Sequence, residues 1–174
     1  MGAGKTTLIK ELSRLGYDAR PEPLEKWEFL QDFYNDPKKY VYPFQKSVVS
    51  SFISRDVGHD FISERSLDVV WHVFIKNLYD NGIIPRLEAS DFNIEIKDLA
   101  SGDYYFFLNI DPTEAYRRIS SRGQAGDANI SLDLLIKIHD LHIEWMSKIK
   151  NVIFLDANDT INNNILKILK ILKK

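Results

Sequence analysis

Apolar positions along this chain recur at two periods, and the switches between them mark the elements. Leu8, Ile9 and Leu12 share one face at helical spacing, which predicts a helix from Thr6 to Leu15, closed by Gly16. A short extended piece, Tyr17 to Arg20, stops at Pro21-Glu22-Pro23, where the prolines bar helix. Helical segments follow roughly over Leu24 to Tyr34 and Pro37 to Ser54. "VGHDFIS" reads as a weak strand, because Gly58, His59 and Asp60 suit a central strand poorly. Leu67 to Tyr79 reads as a helix ended by Asn81-Gly82. Further on, "YYFFLNI" (Tyr104 to Ile110) is an apolar run of the kind a strand buried on both faces requires. Asp111-Pro112 opens a helix to about Ser121, "RGQAGDAN" is a glycine-bearing loop, and Ser131 to Ile149 is a long helix. "VIFLD" (Val152 to Asp156) is a second buried strand, and Asp159 or Thr160 starts a final helix with its lysines outward.

Strands alternating with helices, without hairpin signals, predict an α/β fold with a parallel sheet and helices on both faces. No repeat or linker divides the chain, so residues 1–174 read as one domain. Composition mainly excludes. Basic and acidic residues number 23 and 25, so no basic excess points to nucleic acid. No cysteine is present, which removes disulfides and thiolate chemistry. No apolar run approaches the roughly 20 residues that span a bilayer. These features predict a cytoplasmic protein without membrane partners.

Four short stretches carry candidate chemistry. "GAGKTT", Gly2 to Thr7, matches the second half of a phosphate-binding loop. Backbone N–H groups of Gly2, Ala3 and Gly4 can wrap a phosphate at a helix start, Lys5 can neutralise β- and γ-phosphates, and the Thr6 hydroxyl can hold Mg2+. "RPEPLEKW" fixes Glu22 between prolines at a strand end, where a carboxylate can act as general base. "SERS" places Glu64 and Arg65 at a second strand end, within reach of a metal and a transferred phosphoryl group. "RRISSRGQAGDAN" puts Arg118 and Arg122 on one helix face before a loop, a plausible lid over about 122–130. His139 and His142 lie three apart with Glu144 nearby, but no third metal ligand presents itself.

Together with "FYNDPKKYVYPFQ" and "LIKIHDLHIEW", these stretches resemble the deoxyribonucleoside kinase family from Gly2 to about Trp145. The resemblance implies an ATP-dependent, Mg2+-assisted transfer to the 5′-hydroxyl of a deoxyribonucleoside, in nucleotide salvage, by a homodimer. It implies Glu22 as the base and Arg65 as the arginine beside it, with Thr6 and Glu64 on the metal. Gly2 to Thr7, Arg118 and Arg122 would hold the ATP phosphates. Gln45 would pair with the base edge, Trp27 and Phe74 would line the base pocket with Phe74 stacking, and Tyr34 and Asp127 would share the 3′-hydroxyl. The resemblance also puts the first P-loop glycine and a central strand ahead of Met1, so that the sheet as written lacks its middle.

Two departures bear on the site: Gln124 stands where many members have another lid arginine, and Asp127 stands where they have glutamate. Val48, Phe52 and Val70 make one end of the base pocket apolar, which favours thymidine first and deoxycytidine second. A thymidylate-type monophosphate kinase would need extra arginines, for which Arg55 and Arg86 are the spare candidates. A nucleotide-binding remnant without catalysis is the other alternative, given the truncated loop.

Overall fold

The computed structural model describes residues 1–96, 99, 102–123 and 130–172. Helix α1 (Lys5–Arg14) buries Leu8, Ile9 and Leu12 and ends before Gly16, whose φ of 91° supplies the left-handed turn into β1 (Ala19–Arg20). The helix expected over Leu24 to Tyr34 is two pieces. A 3-10 turn (Leu24–Lys26) and α2 (Leu30–Asn35) are separated where Phe29 takes a left-handed φ of 61°. Helix α3 (Pro37–Arg55) starts at Asp36, whose side chain accepts from Lys39 N, and it tolerates Pro43 within it.

β2 is only Ile62–Ser63. Gly58 and Asp60, at φ of 100° and 60°, confine the strand to the end of the expected segment. The expected helix after it runs as α4 (Leu67–Val69), a π-helical turn (Val70–Ile75) and α5 (Lys76–Asp80). A further helix, α6 (Arg86–Ile96), was not expected, although Ala89, Phe92 and Ile96 form its buried stripe. β3 (Tyr105–Asn109), α7 (Pro112–Arg122), α8 (Leu132–Met146), β4 (Val152–Asp156) and α9 (Ile161–Leu172) lie close to their predicted bounds. Asp111 caps α7 by accepting from Thr113 N at 2.8 Å and Glu114 N at 3.3 Å.

The strands form two parallel ladders. β1 pairs with β2 over Ala19↔Ile62 and Arg20↔Ser63, and β3 pairs with β4 from Tyr105↔Val152 to Asn109↔Asp156. Alternate residues of β3 and β4 enter different cores, as the two-residue strand period demands. Phe106, Leu108, Ile153 and Leu155 pack with α1, α7 and α9, a cluster that Met1, Ala3, Ala19 and Ile62 also join. Tyr105, Phe107 and Val152 pack with Val73 and with Ile138, Leu141 and Trp145 of α8. Helices therefore cover both faces, as predicted. Phe154 departs from the expected burial: β4 ends its ladder among the described residues, and that ring is 53% exposed. The third cluster joins α3, the π-helical turn and α6 through Val48, Phe52, Val70 and Phe92. The last helix turns Ile165 and Ile168 onto the first of these cores, with Lys167 and Lys170 outward.

Candidate active site

The glycine loop lies at the start of α1. Gly2 and Gly4 hold φ of 68° and 90°, and a Cβ on Gly2 would stand 2.7 Å from the Ala115 carbonyl oxygen, so only glycine fits there. Gly4 is the N-cap of α1 and offers no side-chain cap, which leaves the first backbone N–H groups of this 10-residue helix for an anion. Lys5 sits among charges. Burial pushes its pKa down first, Arg65 and Arg122 add to that, and Glu22 and Glu64 oppose it. The Met1 amino group is pushed down chiefly by Lys5, with burial and Arg65 adding to the effect. Lys5, Arg65 and Arg122 thus converge on one spot, a field suited to phosphate.

Both strand ends deliver their acids to this spot. Glu22 Oε1 lies 2.7 Å from Arg65 Nη1, with the two side chains 13% and 11% exposed. That oxygen is buried and accepts no hydrogen bond among the described residues, so a lone pair remains for a donor hydroxyl. Glu64 is buried, and its Oε1 accepts from the Thr6 hydroxyl at 2.9 Å. Thr6 and Glu64, brought together from 58 positions apart, are a hard-oxygen pair that fits Mg2+. Among the described residues no cluster of three or more His, Cys, Asp or Glu gathers for a metal. His139 and His142 are spoken for: His139 Nε2 meets Asn109 Oδ1, and His142 Nδ1 meets the Ile138 carbonyl.

The predicted nucleoside residues gather on α3 and the π-helical turn. Gln45, Val48 and Phe52 fall at i, i+3 and i+7 of α3 and are all buried. Gln45 is 5% exposed, and its amide carries the one acceptor and two donors that a base edge can pair with. Trp27 meets Phe44 edge-on at 6.1 Å and Phe52 at 6.4 Å, and its indole N–H donates to Ser51 Oγ. Val70 and Phe74 sit four apart on the π-helical turn, a distortion frequent at functional sites. The Arg65 guanidinium lies over the Phe74 ring at 4.2 Å, and the His142 ring meets Phe74 edge-on. Tyr34 is half-buried at the end of α2.

The lid arginines divide. Arg122 acts on Lys5 electrostatically, whereas Arg118 points elsewhere. Its Nε donates to Glu114, Nη1 to the Ala157 carbonyl and Nη2 to Asn158. Gln124 and Asp127, and with them most of the predicted lid, lie outside the described residues. Arg55 was read only as a spare phosphate ligand. It is instead tied to Asp56 and to the backbone around Glu22 and Arg65.

A parallel α/β fold whose glycine loop opens a helix, facing an acid and an arginine at the strand ends, is that of the P-loop kinases. The deoxynucleoside kinase family model matches residues 1–174, and the chain belongs to that family. It is 27% identical over 187 residues to the thymidine kinase of Ictalurid herpesvirus 1, covering 99% of this chain and 82% of that one. It is 30% identical over 178 residues to the deoxyguanosine kinase of Dictyostelium discoideum, covering 91% and 62%. In fold it is similar to the deoxyadenosine kinase of M. mycoides with dCMP and dCDP bound. The TM-score is 0.82 at 23% identity, over 99% of this chain and 95% of that one.

Proposed function

We propose that residues 1–174 form one kinase domain that transfers the ATP γ-phosphate to the 5′-hydroxyl of thymidine or, second, of deoxycytidine. The observation that carries this reading is the buried Glu22 Oε1. It is paired with Arg65, keeps a lone pair free, and stands in the field of Lys5. Glu22 takes the proton of the attacking 5′-hydroxyl. Arg65 orients that carboxylate through the 2.7 Å ion pair and meets the charge that develops on the moving phosphoryl group. The backbone of Gly2 to Thr7, Lys5 and Arg122 bind the phosphates, while Thr6 and Glu64 would hold Mg2+, which neutralises phosphate charge when bound. Gln45 reads the base edge with one acceptor and two donors. Trp27 and Phe74 flank the base, and Tyr34 reaches the 3′-hydroxyl.

Val48, Phe52 and Val70 are 4%, 0% and 1% exposed and bring no polar group to their end of the pocket, which favours the 5-methyl of thymidine. The relatives named above act on several different bases, so the choice of base rests on these three side chains. The reading carries with it a homodimer and a role in cytoplasmic nucleotide salvage. Arg55 is too fully engaged to serve an acceptor phosphate, which weighs against a monophosphate kinase. The test is turnover of labelled ATP with thymidine, deoxycytidine and thymidine monophosphate, for the parent and Glu22→Gln. Nucleoside turnover lost in Glu22→Gln is the expected result. Turnover of the monophosphate alone, or of no acceptor by the parent, overturns it.

A further inference from the structure

The ladder that presents Glu22 and Arg65 is two residue pairs long, and its backbone leaves the sheet directly beyond them. The carbonyls of Pro21, Glu64 and Arg65 therefore have no strand partner among the described residues, although backbone acceptors need a donor. Arg55, the last residue of α3, supplies it. Its Nη1 donates to the Pro21 carbonyl at 3.1 Å and to the Glu64 carbonyl at 2.9 Å. Its Nη2 donates to Ser63 Oγ at 2.9 Å and to the Arg65 carbonyl at 3.0 Å. The side chain is 8% exposed, lies over the Phe52 ring at 4.3 Å, and has its charge matched by Asp56 at 2.6 and 2.8 Å.

This fork joins the residue before Glu22 to the residue that carries the Arg65 side chain. Arg65 also holds a left-handed φ of 62°, a strained conformation for a residue with a side chain. Its carbonyl is fixed there by two donors, Arg55 and the Ser63 hydroxyl, the latter at 2.6 Å. Arg20 completes the bracing from β1 by donating to the carbonyls of Arg55 and Val57. The planar guanidinium reaches three carbonyls in a fixed geometry, whereas an ammonium is a single point on a flexible stem.

We infer that Arg55 is a positioning residue for phosphoryl transfer, its guanidinium setting the spacing of the two strand ends that carry Glu22 and Arg65. The inference rests on the roles given above to those two side chains. It binds neither substrate, so its loss acts on the chemical step more than on affinity.

The test compares the purified parent with Arg55→Met, Arg55→Lys and Ser63→Ala. It measures kcat, the KM for ATP, equilibrium binding of thymidine and thermal unfolding of each. Arg55→Met is expected to lower kcat by about 100-fold while thymidine affinity and the KM for ATP stay within about 3-fold, since misplacement of about 1 Å costs that much in rate. Arg55→Lys restores part of kcat, and Ser63→Ala, which folds whatever Arg55→Met does, lowers kcat by about 10-fold. Unchanged kcat in folded Arg55→Lys and Ser63→Ala overturns the inference. So do parallel losses of kcat and thymidine affinity that follow a lost melting transition. A parent that phosphorylates no deoxynucleoside removes the Glu22 and Arg65 assignment and this inference together. An active parent with unaffected Arg55 and Ser63 variants removes this inference alone.

Discussion

The two parallel ladders of this protein are built by different means. β3 and β4 pair over five residues each, and both faces are packed with apolar side chains from the surrounding helices. β1 and β2 pair over two residues each, and what holds their ends is polar: the Arg20–Asp18 fork, the Arg55 fork and the Ser63 hydroxyl. A long ladder with apolar faces fixes a backbone through many weak contacts. A short one whose ends carry charged side chains is held by directional bonds, because apolar packing would leave those charges without partners. Apolar packing and directional polar bonds are thus lodged in separate ladders.

Substitutions can break that separation or sharpen it. The largest effect is expected in the short ladder: Glu22→Gln should lower kcat by about 10²- to 10⁴-fold, the range of general-base catalysis, with the melting temperature nearly unchanged. Steady-state kinetics beside a thermal melt would show it. The reverse is expected of Leu155→Ala in the long ladder. Leu155 is 1% exposed, and its truncation should cost about 2–5 kcal/mol of stability. Urea unfolding would measure that cost, and kcat of the folded fraction should hold. A large kcat loss in Leu155→Ala would mean that the two ladders are not separable.

A smaller effect concerns His142, which stacks on Phe107 of β3 and meets Phe74 edge-on. Burial pushes its pKa from 6.5 to about 4, with Arg65 and Lys5 adding repulsion and the Ile138 carbonyl opposing it. Between those two values the unfolded chain binds a proton that the folded chain refuses. Stability from this group is therefore full above about pH 6.5 and is lost as pH falls toward 4, on the order of 3 kcal/mol in all. Melting temperatures from pH 7 to 4.5 should fall more steeply for the parent than for His142→Phe; equal slopes would remove His142 as the cause. The smallest change is Asp111→Ala, which deletes the cap of α7 and should cost about 1 kcal/mol in unfolding experiments, while the ladder pairing stays intact.

Local signals made much of this legible. The caps Asp111 and Ser131, the closing glycine at 16 and the apolar stripes of α1, α8 and α9 each act within one turn of helix, so the sequence carries them openly. The break between Leu24 and Leu30 was not legible. Nothing there forbids a helix except the left-handed Phe29, which tertiary packing selects. Helix α6 was missed although Ala89, Phe92 and Ile96 lie at i, i+3 and i+7, because its exposed Leu87 and Ile94 blur that stripe. In the site, Lys5, Glu22, Glu64 and Arg65 were all named from their motifs. The bonds of Arg55, a spare phosphate ligand by sequence, were not legible, since its partners lie 8 to 34 positions away or adjacent and no motif marks them.

The sequence by itself singled out Lys5, Glu22, Glu64 and Arg65 as candidates and determined that a parallel α/β fold would carry them. Glycine freedom, capping and periodicity are properties of a few neighbouring residues. Only the tertiary structure decided that Thr6 would meet Glu64, that Glu22 would keep a free lone pair beside Arg65, and that Arg118 would turn to Ala157 and Asn158. Those are contacts between segments tens of residues apart. Their geometry is set by how the helices pack on two unlike ladders, and no local pattern encodes it.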